Sequence, residues 1–252
     1  MIRRIEMPLK FRFRTSFGET TAKKFLLVEA DAGDFSGWGE CVADDVPHFS
    51  EETNASALAV LRDFLIPAAL SRPNAAPGDF PALAARIRGN RMAKAALEIA
   101  LWDAAAREKG APLRDLLGGV RDRVPVGVSL GLQPSVDSLL GLVEKHVAEG
   151  YRRIKLKIEP GRDVALVSAV RERFPSIDLT ADANAAYTLD DAPALSALDP
   201  FGLDYLEQPL GHEDLWDHAE LARRMATPIC LDESIRSAAD ARTAAAIGAA
   251  RV

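Results

Sequence analysis

The chain is expected to fold as an α/β protein in two parts. Residues 1–120 read as an α+β unit, and residues 121–252 as a (β/α)8-type barrel of which about the first five βα units are present. Three observations carry this reading. From Val124 on, short apolar strands alternate with amphipathic helices, the pattern of a parallel sheet. Charged residues at the strand ends recur at one interval, since Lys157 to Asp182, Asp182 to Glu207 and Glu207 to Asp232 are each 25 residues. Before Val124 there is no such alternation; strands come first and helices follow. A βα unit repeated at constant period is the sequence form of a barrel, whereas a doubly wound open sheet rarely keeps its period so even.

The elements follow in order. Ile2 to Arg14 is extended and basic, Lys23 to Ala30 (KKFLLVEA) is a second strand, and a turn over 31–35 leads to a third at Gly37 to Val42. Residues 52–118 read as helices. The clearest runs from Arg91 to Lys109, with Met92, Ala95, Ala96, Ile99, Trp102 and Ala106 on one stripe, and Gly110 and Pro112 end it. In the second part the strands are 124–131 (VPVGVSLG), 152–158 (RRIKLKI), 178–184 (DLTADAN), 203–210 (LDYLEQPL) and 228–234 (PICLDES). Helices are expected at Ser135–Glu149, Asp163–Phe174 and Leu215–Met225. A closed barrel needs about eight units, and a sixth strand would begin near Ala250. An open half-barrel would expose a sheet edge, so the expectation is a longer enzyme or a chain that folds only with help.

Composition narrows the function classes. With 48% hydrophobic and 27% charged residues the chain can build a core, and wholesale disorder is excluded. A net charge of −6 with acids and bases interspersed argues against nucleic acid or anionic membranes as partners. Cys41 and Cys230 are far apart and form neither a disulfide framework nor a Cys-based metal cluster, which suits a reducing compartment. The N-terminus MIRRIEMPLKFRFR lacks a signal-peptide core, no run approaches the ~20 apolar residues of a membrane span, and the expected location is cytoplasmic. No phosphate-binding glycine motif is present. His146 and His218 fall on helix faces and read as surface residues, and Trp38 and Trp102 read as core. Arg14 and the Arg88–Arg91 cluster could meet an anionic substrate tail or form a solvated basic patch.

In RRIKLKI, Ile154, Leu156 and Ile158 point one way and Arg153, Lys155 and Lys157 the other. The apolar set should meet the helices, which leaves the lysines on the inner face. An edge strand with a solvated basic face is the plainer alternative, but a strand within a βαβ series has no free edge. Two lysines on one face are expected to lower each other's pKa, making one a general base near neutral pH. The next three strands end in Asp182, Glu207 and Asp232; parity groups Thr180, Asp182 and Asn184, and likewise Cys230, Asp232 and Ser234. Each acid alone could be a helix N-cap. At equal spacing on neighbouring strands, the three converge instead on the barrel face where active sites sit. Converging carboxylates repel unless a cation holds them, and all-oxygen ligands suit Mg²⁺ or Mn²⁺ rather than zinc. A divalent metal opposite an amine base suits removal of a proton α to a carboxylate.

These residues resemble the enolase superfamily in its muconate-lactonizing subgroup, where the second barrel strand carries Lys-x-Lys, here Lys155-Leu156-Lys157. Within it the chain is most similar to the o-succinylbenzoate synthases and N-acylamino acid (N-succinylamino acid) racemases. The likeness runs through PLKFRFRTSFG (8–18), GWGECVA (37–43), SEET (50–53), RGNRMAKAALEIALWD (88–103), VGVSLG (126–131), GYRRIKLKIEPG (150–161) and DHAELARR (217–224). The resemblance implies that residues 1–120 cap the barrel. Its specificity loops would be Ser16–Thr20, with Ser16, Phe17 and Gly18, and Pro47–Ser50, with His48 and Phe49. Lys157 would be the base or acid facing the α-carbon and Lys155 would tune it. Asp182, Glu207 and Asp232 would hold Mg²⁺, with Mn²⁺ also suited, and Asn184 and Glu233 would support that shell. The family's further lysine, on a sixth strand, has no counterpart before Val252. The implied substrate is a small carboxylate and the implied assembly a homo-oligomer. The expected reaction is syn-dehydration of 2-succinyl-6-hydroxy-2,4-cyclohexadiene-1-carboxylate in menaquinone biosynthesis. Racemisation of N-acylamino acids comes next, then dipeptide epimerisation, and a non-catalytic remnant is the alternative of another class.

Overall fold

Three strands open the chain: β1 (Ile2–Thr15), β2 (Gly18–Asp31) and β3 (Ser36–Cys41), arranged β1-β2-β3 in one sheet. Strands β2 and β3 pair antiparallel with Leu26 opposite Cys41 and Val28 opposite Gly39. The computed structural model describes all 252 residues, which divide into two units. The first comprises Met1–Lys10 and Thr21–Val124, the second Phe11–Thr20 and Pro125–Val252.

In the first unit, Thr53 and Ser56 form a reciprocal capping box that starts α1 (Asn54–Val60), which runs on through a π-helical turn (Leu61–Leu65) into α2 (Ile66–Leu70). After α3 (Phe80–Leu83) comes the long α4 (Arg91–Glu108), then α5 (Leu113–Leu116). The buried Glu52 carboxylate accepts from the Met92 and Ala93 amides at 2.8 and 3.1 Å, satisfying the positive end of α4.

The buried face of α4 differs from the expected stripe. Ala93, Ala96, Leu97, Ala100, Ala104 and Ala106 are buried, while Ile99 is 46% exposed and Trp102 half-buried. Trp38 is also half-buried rather than core. The cause is close approach. A Cβ on Gly37 would strike Ala100 and Ala104, and one on Gly39 would strike Ala96, so β3 and α4 touch through their smallest residues. Large side chains fit only at the flanks of such a contact.

The second unit holds a parallel sheet, β4 (Gly127–Leu130), β5 (Arg153–Lys157), β6 (Asp178–Asp182), β7 (Leu206–Glu207) and β8 (Ile229–Cys230), in that spatial order. Spatial order equals chain order throughout, without the reversal of a doubly wound sheet. Helices α6 (Val136–Ala148), α7 (Asp163–Arg173), α8 (Ala192–Ser196), α9 (Leu215–Arg224) and α10 (Ala238–Ile247) follow the successive strands. Ile154, Leu156 and Ile158 are buried in one cluster with Leu139 and Val143 of α6 and Leu166, Val167 and Val170 of α7, as their parity requires. The last two strands are shorter than their sequence segments, and β7 ends where the chain turns at Gln208. No helix is long and apolar enough to cross a membrane.

Candidate active site

Parallel register sets one row of residues at the ends of four adjacent strands, with Lys157 opposite Asp182, Asp182 opposite Glu207 and Glu207 opposite Cys230. Asp232 lies two residues beyond Cys230. The backbone leaves the strands sharply: Asn184, Ala185 and Gln208 have φ of 45°, 59° and 36°, the left-handed region that non-glycine residues seldom occupy.

The lysines meet carboxylates. Lys157 Nζ donates to Asp182 Oδ2 and to Asn184 Oδ1, each at 2.6 Å. Lys155 Nζ donates to both oxygens of Glu207 at 2.7 and 2.9 Å and lies 3.1 Å from Asp182 Oδ2. Asn184 continues the network, its backbone N–H donating to Asp182 Oδ1 at 3.0 Å and its Nδ2 to Glu233 Oε1 at 3.2 Å. The other Glu233 oxygen is buried without a partner.

For Lys155 this arrangement corrects the expected depression by a neighbouring lysine. Burial alone would pull Lys155 down, but the hydrogen bond to Glu207 and the charges of Asp182 and Glu207 outweigh it, so its ammonium is held above the ordinary lysine range. Lys155 is therefore a fixed cation. Asp182 is the converse case: burial would raise its carboxyl, yet the Lys157 charge and hydrogen bond, aided by Lys155, hold it low. Burial pushes Glu207 above the usual carboxylate range; Lys155 opposes this and the Asp182 charge adds to it. Glu233 is raised chiefly by burial.

The structure brings Asp182 and Glu207 together about Lys155, but Asp182, Glu207 and Asp232 do not close into a set of three acids within reach of one ion. The donor chemistry still fits a hard divalent cation. All the groups are oxygens, they lie at neighbouring strand ends, and the Cys230 thiol between them is pushed up to about 11 by burial and then by the Glu207 and Asp232 charges. Counted formally, Lys155 and Lys157 stand against four acids of this region, Asp182, Glu207, Asp232 and Glu233, an excess of two negative charges; the lysines contact Asp182 and Glu207 directly.

The tip of the first hairpin belongs to this unit and reaches the site. Ser16 Oγ donates to the carbonyls of Ala183 (3.1 Å) and Asn184 (3.4 Å), and the Leu132 amide donates to the Arg14 carbonyl at 2.8 Å. Arg14 pairs at 3.7 Å with Glu159. Phe17 and Gly18 are exposed at the tip. His48 and Phe49 belong to the first unit, both exposed in the turn after β3. Sequence reasoning missed Phe13, whose ring centroid is 5.9 Å from Lys157 Nζ. Its only signal was an aromatic residue alternating with arginines in FRFR.

His146 is half-buried and bonds Glu149 at 2.8 Å. His218 is fully buried, which corrects its reading as a surface residue. Its Nε2 accepts from the Leu210 amide at 3.2 Å, which leaves Nδ1 to donate to the Asp214 carbonyl, so the neutral ring pins the loop after β7. Burial pulls its pKa below the usual 6.5. The unfolded chain then binds a proton that the folded chain refuses, so stability falls as pH drops below about 6.5. Urea denaturation against pH is expected to show this acid limb, and His218→Phe to flatten it at a cost of about 2 kcal/mol from the unpaired Leu210 amide. An equal acid slope in both proteins would exclude His218 as its source.

Two family models match the chain. Residues 1–118 match the mandelate racemase / muconate lactonizing enzyme N-terminal domain, and residues 139–252 the enolase C-terminal domain-like family. An o-succinylbenzoate synthase of Geobacillus kaustophilus is 52% identical over 253 residues, covering 100% of this chain and 68% of that protein. An N-succinylamino acid racemase of Thermus thermophilus is 51% identical, with the same 100% and 68% covered. A crystal structure of an enolase superfamily member from Listeria innocua superposes with a TM-score of 0.94 at 42% identity, over 99% of this chain and 68% of that one.

Proposed function

The chain belongs to the enolase superfamily, and from that premise we propose that it acts as a Mg²⁺-dependent o-succinylbenzoate synthase. The observation that carries the reading is the paired network Lys157–Asp182 and Lys155–Glu207 at adjacent strand ends, in a chain 52% identical to a protein named for that activity. The five parallel strands are read as consecutive units of a (β/α)8 barrel, and residues 1–120 as its cap.

Asp182, Glu207 and Asp232 would hold the metal, which supplies positive charge where the substrate carboxylate gains negative charge as its α-proton leaves. The chain's residues do the rest. Lys157 is directed at one point by Asp182 and Asn184; as the neutral amine its Nζ would take the α-proton and become an ammonium. In a syn elimination the proton and the hydroxyl leave from one face, so the same ammonium can return a proton to the departing oxygen, which leaves as water. Lys155 stays protonated, balances Glu207, and adds a fixed positive field to the site. Ser16 ties the hairpin tip to the strand-end backbone, and Phe13 covers the Lys157 ammonium with an aromatic face that excludes water. A cytoplasmic homo-oligomer acting on a small carboxylate, without nucleic acid, completes the reading; the acidic charge balance and unpaired cysteines support its setting.

A second reading, N-succinylamino acid racemisation, is favoured by the 51% identity to a protein so named. One experiment separates them. The purified chain is incubated with the cyclohexadiene carboxylate, following the aromatic product by absorbance, and with an N-succinylamino acid in D₂O, following α-deuteration by NMR. Product formation abolished by EDTA and restored by Mg²⁺ is the expected result. Deuteration without any aromatic product would replace the first reading by the second, and activity unaffected by EDTA would overturn the metal's role.

A further inference from the structure

We propose that Gln208 is a positioning residue that sets the third proposed metal ligand, Asp232, against the second, Glu207. The inference rests on the metal reading above.

Gln208 is completely buried, immediately after Glu207, with a left-handed φ of 36°. An amide side chain offers two N–H donors and two acceptor positions, and here all four are used. Nε2 donates to the Leu210 carbonyl at 3.1 Å and to Ser234 Oγ at 2.8 Å. Oε1 accepts from the Asp232 amide at 3.0 Å and from the Ser234 amide at 3.2 Å. Its backbone is equally committed, the N–H donating to the Cys230 carbonyl at 2.9 Å and the carbonyl accepting from the Ala185 amide at 2.8 Å. One residue thus ties the turns after β6, β7 and β8.

Asp232 lies beyond the last ladder pair of β8, so no strand pairing fixes it. The Gln208 acceptor does so instead, and a non-glycine residue held at positive φ persists only where its surroundings compensate the strain. Here the compensation is the saturated amide. The backbone that carries Asp232 is thereby ordered before any ion arrives, which spares metal binding the entropy of ordering that turn.

The test uses Mn²⁺ as probe, its binding to the purified chain counted by electron paramagnetic resonance. Gln208→Met keeps the length and deletes all four side-chain bonds; Ser234→Ala deletes the one to Ser234 Oγ. Gln208→Met is expected to weaken Mn²⁺ binding by about 10- to 100-fold and Ser234→Ala by under about threefold. A purely structural role would lower thermal stability and leave the affinity of the folded variant alone; affinity within twofold of the parent overturns the proposal. Failure of the parent itself to bind Mn²⁺ would instead overturn the metal reading. Should Gln208→Met not fold, hydrogen exchange of the segment 230–236 in the parent decides. Protection equal with and without Mg²⁺ is expected, and protection that appears only on adding Mg²⁺ would show that the ion, not Gln208, orders the turn.

Discussion

Lys157→Ala is expected to lower turnover by about 10³-fold, within the range general acid–base groups contribute, while substrate binding changes little. Two hydrogen bonds hold this group at one point, donated by Nζ to a carboxylate held low and to the amide oxygen of Asn184, and it is 8% exposed. Lys157→Arg is the sharper variant. It keeps the positive charge against Asp182 but cannot give up its proton. The prediction is that arginine is as inactive as alanine and that neither variant exchanges the substrate α-proton with D₂O. Arginine retaining turnover within tenfold of the parent would mean that Lys157 supplies charge rather than proton transfer, and the assignment of the base would fall.

Asp182→Asn should be as damaging by a different route. Asp182 is 1% exposed and accepts from Lys157, with Lys155 at 3.1 Å. As an amide it would be a poorer metal ligand and would leave two ammoniums without their shared counter-charge. A charge stabilisation worth several kcal/mol is at stake in the metal site, so turnover is expected to fall about 10³-fold or more. Breaking the buried pair is also expected to cost about 3 kcal/mol of stability. Calorimetric titration with Mg²⁺ and urea denaturation separate the two effects. Glu207→Gln serves as a companion that leaves the Lys157 bond intact. A working site loses turnover in both variants; an Asp182→Asn protein as active as the parent would exclude the metal reading.

How much of this was legible depended on the range of the interaction. Strand parity in RRIKLKI placed Ile154, Leu156 and Ile158 toward the helices and Lys155 and Lys157 on the opposite face, because alternation is a property of any extended chain. The 25-residue interval placed Lys157, Asp182 and Glu207 in one row, because equal units in parallel register put equivalent residues side by side. On α4 the same kind of argument failed. Helical spacing gave two faces to choose from, and hydrophobicity chose the one with Met92 and Ile99. The helix in fact buries its alanines against Gly37 and Gly39, since two backbones can come that close only where side chains are small.

By itself, then, the sequence determined the order of the parallel strands, the two faces of β5, and the row Lys157, Asp182 and Glu207 at adjacent strand ends. All of these follow from local geometry and from the repeat. Only the tertiary structure decided what those groups meet. Lys155 is 52 residues from Glu207, and their contact turned a lysine expected to be lowered by its neighbour into a fixed cation. His218 was taken from a helix face into a loop contact, and the hairpin tip 11–20 joined the second unit. Gln208 gained four side-chain hydrogen bonds to three residues from a left-handed turn that no residue pattern announces. The physical reason is common to them. A side chain's charge state and bonds are set by whichever distant segments packing brings within about 3 Å, and periodicity carries no information about those segments.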